Sequence, residues 1–289
     1  MILELSGKYP VSHLCDEMEV NRSGFYKWLN RTKNPTSKQL RRIELINLFT
    51  EYHNLYPSHG YRWLNAKIWL DTGEIISDQL AHRVCKYSGI KSEAKHARHY
   101  QKRDEGAKVY PNLVLQSLNI TAPFQVVVSD MTAFWTKKGY YELTLFMDLF
   151  NNEIIAYGLS NKKGDPQTYY KGLEELLKQK EEYKDFDTIL HTDQGSVYSS
   201  IKFNNSLEFY NIIHSMSRAG TPTDNGAMEA INGWIKEELF IDFRIYNSND
   251  IEQSIKYYIK YFNTERPSIV LNFETPQSYK EKYYKKGEF

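Results

Sequence analysis

Apolar residues recur along this chain in two rhythms, a helical one up to about residue 90 and a strand-like alternation from about residue 112. In residues 11–31, Val11, Leu14, Cys15 and Met18 are spaced for one helix and Val20-Asn21 makes a turn. A second helix begins near Ser23 with Phe25, Trp28 and Leu29 on its apolar side, the outline of a helix-turn-helix that leaves Arg22, Lys27 and Arg31 available to DNA. Residues 38–90 continue as helices, broken at Pro57-Ser58-His59-Gly60 and at Asp71-Thr72-Gly73. The last of them, over 78–90, lines up Leu80, Val84 and Tyr87 and exposes His82, Arg83 and Lys86, the pattern of a second recognition helix. A plain structural helix pair fits either unit as well. Residues 91–111 are polar and basic, without apolar periodicity, and read as a linker.

From residue 112 onward the pattern predicts strands over 124–135, 140–150 and 153–160, joined at Lys137-Lys138-Gly139 and Asn151-Asn152 into an antiparallel meander. A helix over 165–183, a strand over 187–191, a short helix near 199–210 and a strand over 211–215 follow. The next helix carries Ala227, Ile231, Trp234, Ile235 and Leu239 as its apolar stripe, with Asp224 or Asn225 as N-cap. A last helix over 248–265 presents Ile251, Ile255, Tyr258, Ile259 and Phe262, and Pro267 ends it. This order predicts an α/β layered sheet preceded by an all-α region. Four blocks result: a helix-turn-helix at 1–35, a second helical DNA-binding region at 36–90, a basic linker at 91–111, and a core with a helical C-terminal tail at 112–289.

Composition changes the picture in one respect. Net charge is only +1, which argues against a DNA-binding protein, but the charge is unevenly placed. Residues 1–108 hold 18 Lys and Arg against 12 Asp and Glu, whereas 109–289 hold 19 against 24. A basic arm on an acidic domain suits a protein that grips phosphates with one part and gathers cations with the other. Aromatic residues make up 15% of the chain, which argues against disorder. Cys15 and Cys85 have neither metal-ligand spacing nor company for a disulfide framework, and no apolar run approaches a membrane span, so a reducing cytosol is expected.

Three acids stand out: Asp130 in VVVSDMT, Asp193 in ILHTDQGS and Glu229 in TPTDNGAMEAINGW, with 35 residues between the last two. Asp130 follows the β-branched run Val126 to Val128 and should emerge near that strand's end; Asp193 repeats the arrangement after Thr188 to Leu190. Glu229 lies on a helix, seven residues before Lys236 and therefore on its face. Carboxylates converging from separate rigid elements are what phosphodiester chemistry with two divalent cations requires. Singly, each has a bland reading, as a turn residue or as part of a solvated helix face.

In these stretches the chain resembles the catalytic subunit of transposases of the insertion-sequence-three family, members of the retroviral-integrase superfamily with a ribonuclease-H-like core. The matching segments are SDMT, GYYELTLFMDLFNNEIIAYGLS, HTDQGSVYSS, SMSRAGTPTDNGAMEAINGWIKEEL and YIKYFNTERPSIVLNFETPQSY, with CDEMEVNRSGFYKWLNR and HGYRWLNAKI earlier. Val127 stands where the family usually has an aromatic residue, and Ser268 where a His is common. The resemblance implies metal-dependent cleavage and strand transfer of DNA by Asp130, Asp193 and Glu229 holding two Mg²⁺ ions, with Mn²⁺ able to substitute. It also implies DNA or supporting contacts from Arg218, Asn225, Lys236 and Arg266, with Asn263 beside Arg266 in the tail, where a packing role for the aromatic-rich segment fits at least as well. A homo-oligomer on element ends and target DNA is implied too, with a fused or separate upstream product carrying another helix-turn-helix and a coiled coil. Two other classes remain open at this level, a metal-dependent nuclease without strand transfer and a non-catalytic DNA-binding regulator.

Overall fold

The computed structural model describes residues 1–94, 110–113, 119–180, 187–217 and 226–286, with backbone alone at 226–230 and 286. Short helices α1 (Ile2–Leu5) and α2 (Val11–Glu17) lead into α3 (Arg22–Lys33). Asn21 caps α3 by accepting from the backbone N–H of Ser23 at 2.9 Å and of Gly24 at 3.2 Å. Ile2, Leu14, Cys15 and Phe25 form a small core of their own. Trp28, expected on the apolar side, is half exposed, because Phe25 and Leu29 already fill the narrow contact with α2.

Three longer helices follow: α4 (Ser37–Leu55), α5 (Tyr61–Thr72) and α6 (Asp78–Ser88). Thr36 and Gln39 close a reciprocal capping box on α4. The chain breaks at Pro57 to Gly60 as expected, whereas α5 runs through Asp71 and Thr72 and stops at Gly73, whose φ of +72° only glycine adopts without strain. On α6 the buried face is Ala81, Val84 and Cys85. Tyr87 lies outside it, with the Arg42 guanidinium 4.2 Å over its ring, while His82, Arg83 and Lys86 are exposed. Of the linker, residues 95–109 lie outside the described residues.

The second half is built on a five-stranded sheet in the order β3-β2-β1-β4-β5. β1 (Val126–Thr136), β2 (Gly139–Asp148) and β3 (Glu153–Ser160) form the antiparallel meander, and β4 (Thr188–Thr192) and β5 (Ile212–Met216) add in parallel. This is the ribonuclease-H-like arrangement. Alternation along β1 sends Val127 to one face and Val128 to the other. On the first face lie α7 (Gln167–Lys180) and α8 (Ile201–Phe209). The approach of α7 requires glycine: a Cβ at Gly158 would sit 2.2 Å from the Thr168 carbonyl oxygen, and one at Gly172 2.1 Å from the Phe146 ring.

The opposite face is covered by α9 (Gly226–Ile241) and α10 (Ile251–Thr264), and α11 (Pro276–Lys286) completes the tail. Asn263 on α10 serves as a strand substitute, its amide accepting from Ile154 N at 3.0 Å and donating to Ile154 O at 2.9 Å. The core on this face does not stop at the sheet. Val128, Leu145, Ile235, Leu239 and Tyr258 belong to the same apolar cluster as Phe49, Leu64, Ile68 and Val84, so α4, α5 and α6 are packed into the second half. On α9, Ile235 and Leu239 are buried as expected, whereas Trp234 is 39% exposed. Both proposed N-cap residues, Asp224 and Asn225, lie outside the described residues.

Candidate active site

Asp130 is the fifth residue of β1 and lies inside the strand rather than near its end, because β1 continues as far as Thr136 along β2. What ends near Asp130 is the pairing with β4. The parallel register runs from Val126 against Ile189 to Ser129 against Thr192, so the next position on each strand sets Asp130 beside Asp193. Adjacent strands lie about 4.8 Å apart. By the alternation that puts Val128 and Phe134 on the α9 face, Asp130 shares that face. The two acids are therefore brought together by sheet register alone.

Each carboxylate is oriented by a donor. Asp130 Oδ1 accepts from Met131 N at 2.8 Å, and its Oδ2 accepts from Nδ2 of Asn232 on α9 at 2.7 Å. Asp193 Oδ1 accepts from Gly195 N at 2.8 Å, and a Cβ at Gly195 would fall 2.9 Å from that same oxygen, so only glycine permits this turn undisturbed. Lys236 is half-buried: burial lowers its ammonium pKa, and the Asp130 charge acts in the opposite sense. Glu229 is in the first turn of α9, three residues before Asn232 and seven before Lys236, which places all three on one helical face. Its side chain is outside the described ones. Among the described residues no group of three or more acidic, His or Cys side chains is assembled for a metal ion.

Two phenols report the charge of the acid pair. Tyr198 is fully buried and shares a 2.7 Å hydrogen bond with Ser129 Oγ; its pKa is driven well up by burial first and then by Asp130, with a smaller part from Asp193. Tyr169 is raised by burial, then by Asp193, Glu142 and Asp130. Beneath Asp193, Thr192 Oγ1 meets Nε2 of His214 at 3.0 Å, and the other ring nitrogen meets Asn204 Oδ1 at 2.5 Å. Burial, with His191 nearby, pushes His214 down to about 4, so it is neutral at physiological pH.

The far face of α9 is anchored by a buried polar cluster that sequence reasoning missed. Glu238 accepts from Tyr258 Oη at 2.9 Å and from Arg266 Nε at 2.8 Å, and Arg266 Nη2 lies 2.6 Å from Oε1. Asp242 accepts from Ser58 N at 2.9 Å and Ser58 Oγ at 2.6 Å. His59 sits between them, its Nε2 3.4 Å from one oxygen of each. Burial works against the Arg266 charge, and Glu238 more than offsets it. Arg266 is thus turned inward against Glu238 rather than toward solvent. The available signal was Glu238 and Asp242, two acids four apart in line with the otherwise apolar side of the helix, the second just past its end.

The remaining basic candidates lie elsewhere. Arg22, Lys27 and Arg31 are exposed on α3, and Arg83 and Lys86 on α6. Arg218 and Asn225 lie outside the described residues. No helix among the described residues is long and apolar enough to cross a membrane.

Comparison with known proteins agrees with this arrangement. Two integrase core domain models match, one over residues 120–222 and one over 210–276. The chain is 30% identical over 285 residues to the putative transposase InsK for insertion sequence element IS150 of Escherichia coli K12, covering 97% of both chains. It is 30% identical over 220 residues to the transposase for insertion sequence element IS904 of Lactococcus lactis, covering 75% of this chain and 85% of that one. It is 26% identical over 273 residues to an uncharacterized 31 kDa protein of insertion element IS600 of Shigella sonnei, covering 94% and 98%. With a ribonuclease-H-like sheet, an acid pair set by its parallel register and a relative matched along nearly its whole length, the chain belongs to the insertion-sequence transposases built on an integrase core domain.

Proposed function

We propose that this transposase cleaves DNA at the ends of its element and joins the freed 3′ ends to target DNA, using Asp130, Asp193 and Glu229 as ligands for two Mg²⁺ ions. The observation that carries the reading is the register that seats Asp130 beside Asp193 on the α9 face. The donor set fits a hard divalent cation, since it consists of carboxylate oxygens; the neighbouring phenols Tyr169 and Tyr198 are raised first by burial and then further by the charge of the two acids. When bound, the cations supply activation of the attacking hydroxyl and neutralisation of the leaving oxygen. Asn232 holds Asp130 Oδ2 in place, which keeps the carboxylate from rotating between turnovers. Lys236, with its ammonium partly desolvated beside Asp130, is suited to meet a phosphate oxygen of the substrate.

DNA is held by the basic first third of the chain, through Arg22, Lys27 and Arg31 on α3 and Arg83 and Lys86 on α6. Paired joining requires two element ends at once, so the working species is an oligomer on DNA, accompanied by an upstream helix-turn-helix product. The test is a strand-transfer assay with a 3′-labelled element end and a target plasmid in Mg²⁺. Label joined covalently to the plasmid supports the reading. Cleavage without joining identifies a nuclease, and binding without either identifies a regulator.

A further inference from the structure

We propose that the cleft between α5, α9 and the segment after α10 receives a single unpaired base of the DNA substrate. The cleft has a volume of about 570 Å³, within the range of small-ligand sites. Its walls are parallel ring planes. His59 stacks on Trp63 with centroids 3.6 Å apart and planes at 11°, and Trp234 lies parallel to the same imidazole at 7°, with centroids 6.4 Å apart. Stacked carbon atoms approach to roughly 3.5 Å, so one planar ring inserted between His59 and Trp234 needs about 7 Å. The missing few tenths of an ångström must come from one wall. His59 and Trp63 are buried and fixed, whereas Trp234 is 39% exposed and can give way.

The rest of the lining suits a base better than an aliphatic side chain, which has no use for parallel planes. Ile231 adds an apolar surface, Asn152 offers an amide that can both donate and accept, and Arg62 places a cation at the mouth. Location points the same way. Trp234 lies on α9 between Asn232 and Lys236, turned to the opposite side of the helix. Cleft and acid pair thus flank one helix, roughly 10 Å across, which is about three nucleotides along a strand.

The inference rests on the proposed function only in taking DNA as the ligand, so its test is run without metal. Full-length protein is titrated with a duplex carrying one bulged 2-aminopurine, and with the fully paired duplex of the same sequence. Wild type should bind the bulged duplex roughly tenfold more tightly, the benefit of one base stacked on aromatic rings, and should quench its fluorescence. Trp234→Ala should lose both the preference and the quench and keep paired-duplex affinity, while Trp234→Phe retains most of the preference. Absence of preference in wild type, or its survival in Trp234→Ala, would overturn the proposal. So would a fall in sedimenting mass for Trp234→Ala with the preference intact, which would make the cleft an interface between chains. Failure of wild-type joining in Mg²⁺ would count against the proposed function and leave this preference, read without metal, standing.

Discussion

Asn232 makes the most informative single contact in the molecule, because it ties α9 to Asp130 through one 2.7 Å hydrogen bond. Residues that orient a metal-binding carboxylate typically matter by 10–100-fold in affinity or rate. Asn232→Ala is expected to raise the Mg²⁺ concentration needed for cleavage by about that factor while leaving the melting temperature nearly unchanged; a metal titration of the variant checks it. Asp148 offers a second test. Its Oδ2 accepts from Phe124 N at 2.8 Å and its Oδ1 from Phe150 N at 3.0 Å, yet burial pushes its pKa up to about 6. A raised carboxyl pKa means that the folded state binds the proton more tightly than the unfolded one. The group's contribution is therefore present at low pH and lost as pH rises from about 4 through about 6, by about 3 kcal/mol at most. Urea unfolding from pH 4 to 7.5 should show this falling component in wild type and not in Asp148→Asn. Neither residue stood out in the sequence, since Asn232 reads as an ordinary polar helix position and Asp148 as one polar position within the strand over 140–150.

Helix α9 is the element on which the site depends, and it is held from behind. Glu238 is fully buried and accepts from Tyr258 and Arg266, so removing Arg266 strands a carboxylate in the interior. Breaking such a pair costs about 3–5 kcal/mol. Arg266→Ala should therefore lower the melting temperature by about 10 °C. An unchanged melting temperature with weakened DNA binding would place Arg266 on DNA instead. The strands and helices of this half were legible because β-branched alternation and helical stripes are local signals, as Val126 to Val128 and Ile251 to Phe262 show. The place of Asp130 reads two ways in the sequence, within a strand over 124–135 and near the end of the run Val126 to Val128, because what ends there is only the pairing with β4, a fact that resides in β2 and β4. The role of His59 was equally hidden: its partners, Glu238 on α9 and Asp242 just past its end, lie far along the chain.

At the scale of the molecule, the charge split and the packing pull in different directions. The basic first third is set apart in composition, yet Phe49, Leu64, Ile68 and Val84 share one apolar cluster with Ile235, Leu239 and Tyr258. Cutting the chain after α6 would expose that surface, so DNA binding by the basic region is best measured in the whole protein. Replacing Arg22, Lys27 and Arg31 together by Gln should reduce the slope of log affinity against log salt by about 3, since each phosphate contact contributes about 0.9. An unchanged slope would remove α3 from the DNA interface. The continuous core was not legible in the sequence because each helix shows its apolar face without showing what covers it.

The central claim is that Asp130, Asp193 and Glu229 act as one metal-binding site on DNA. Its most direct measurement is Mg²⁺-dependent cleavage of a labelled element end by wild type and by Asp130→Asn, Asp193→Asn and Glu229→Gln, with DNA binding and melting recorded on the same preparations. The substitutions remove charge and keep shape, so cleavage should fall below detection in all three while binding and melting stay near wild type. Substantial Mg²⁺-dependent cleavage by any one of them would remove that residue from the site and contradict the account.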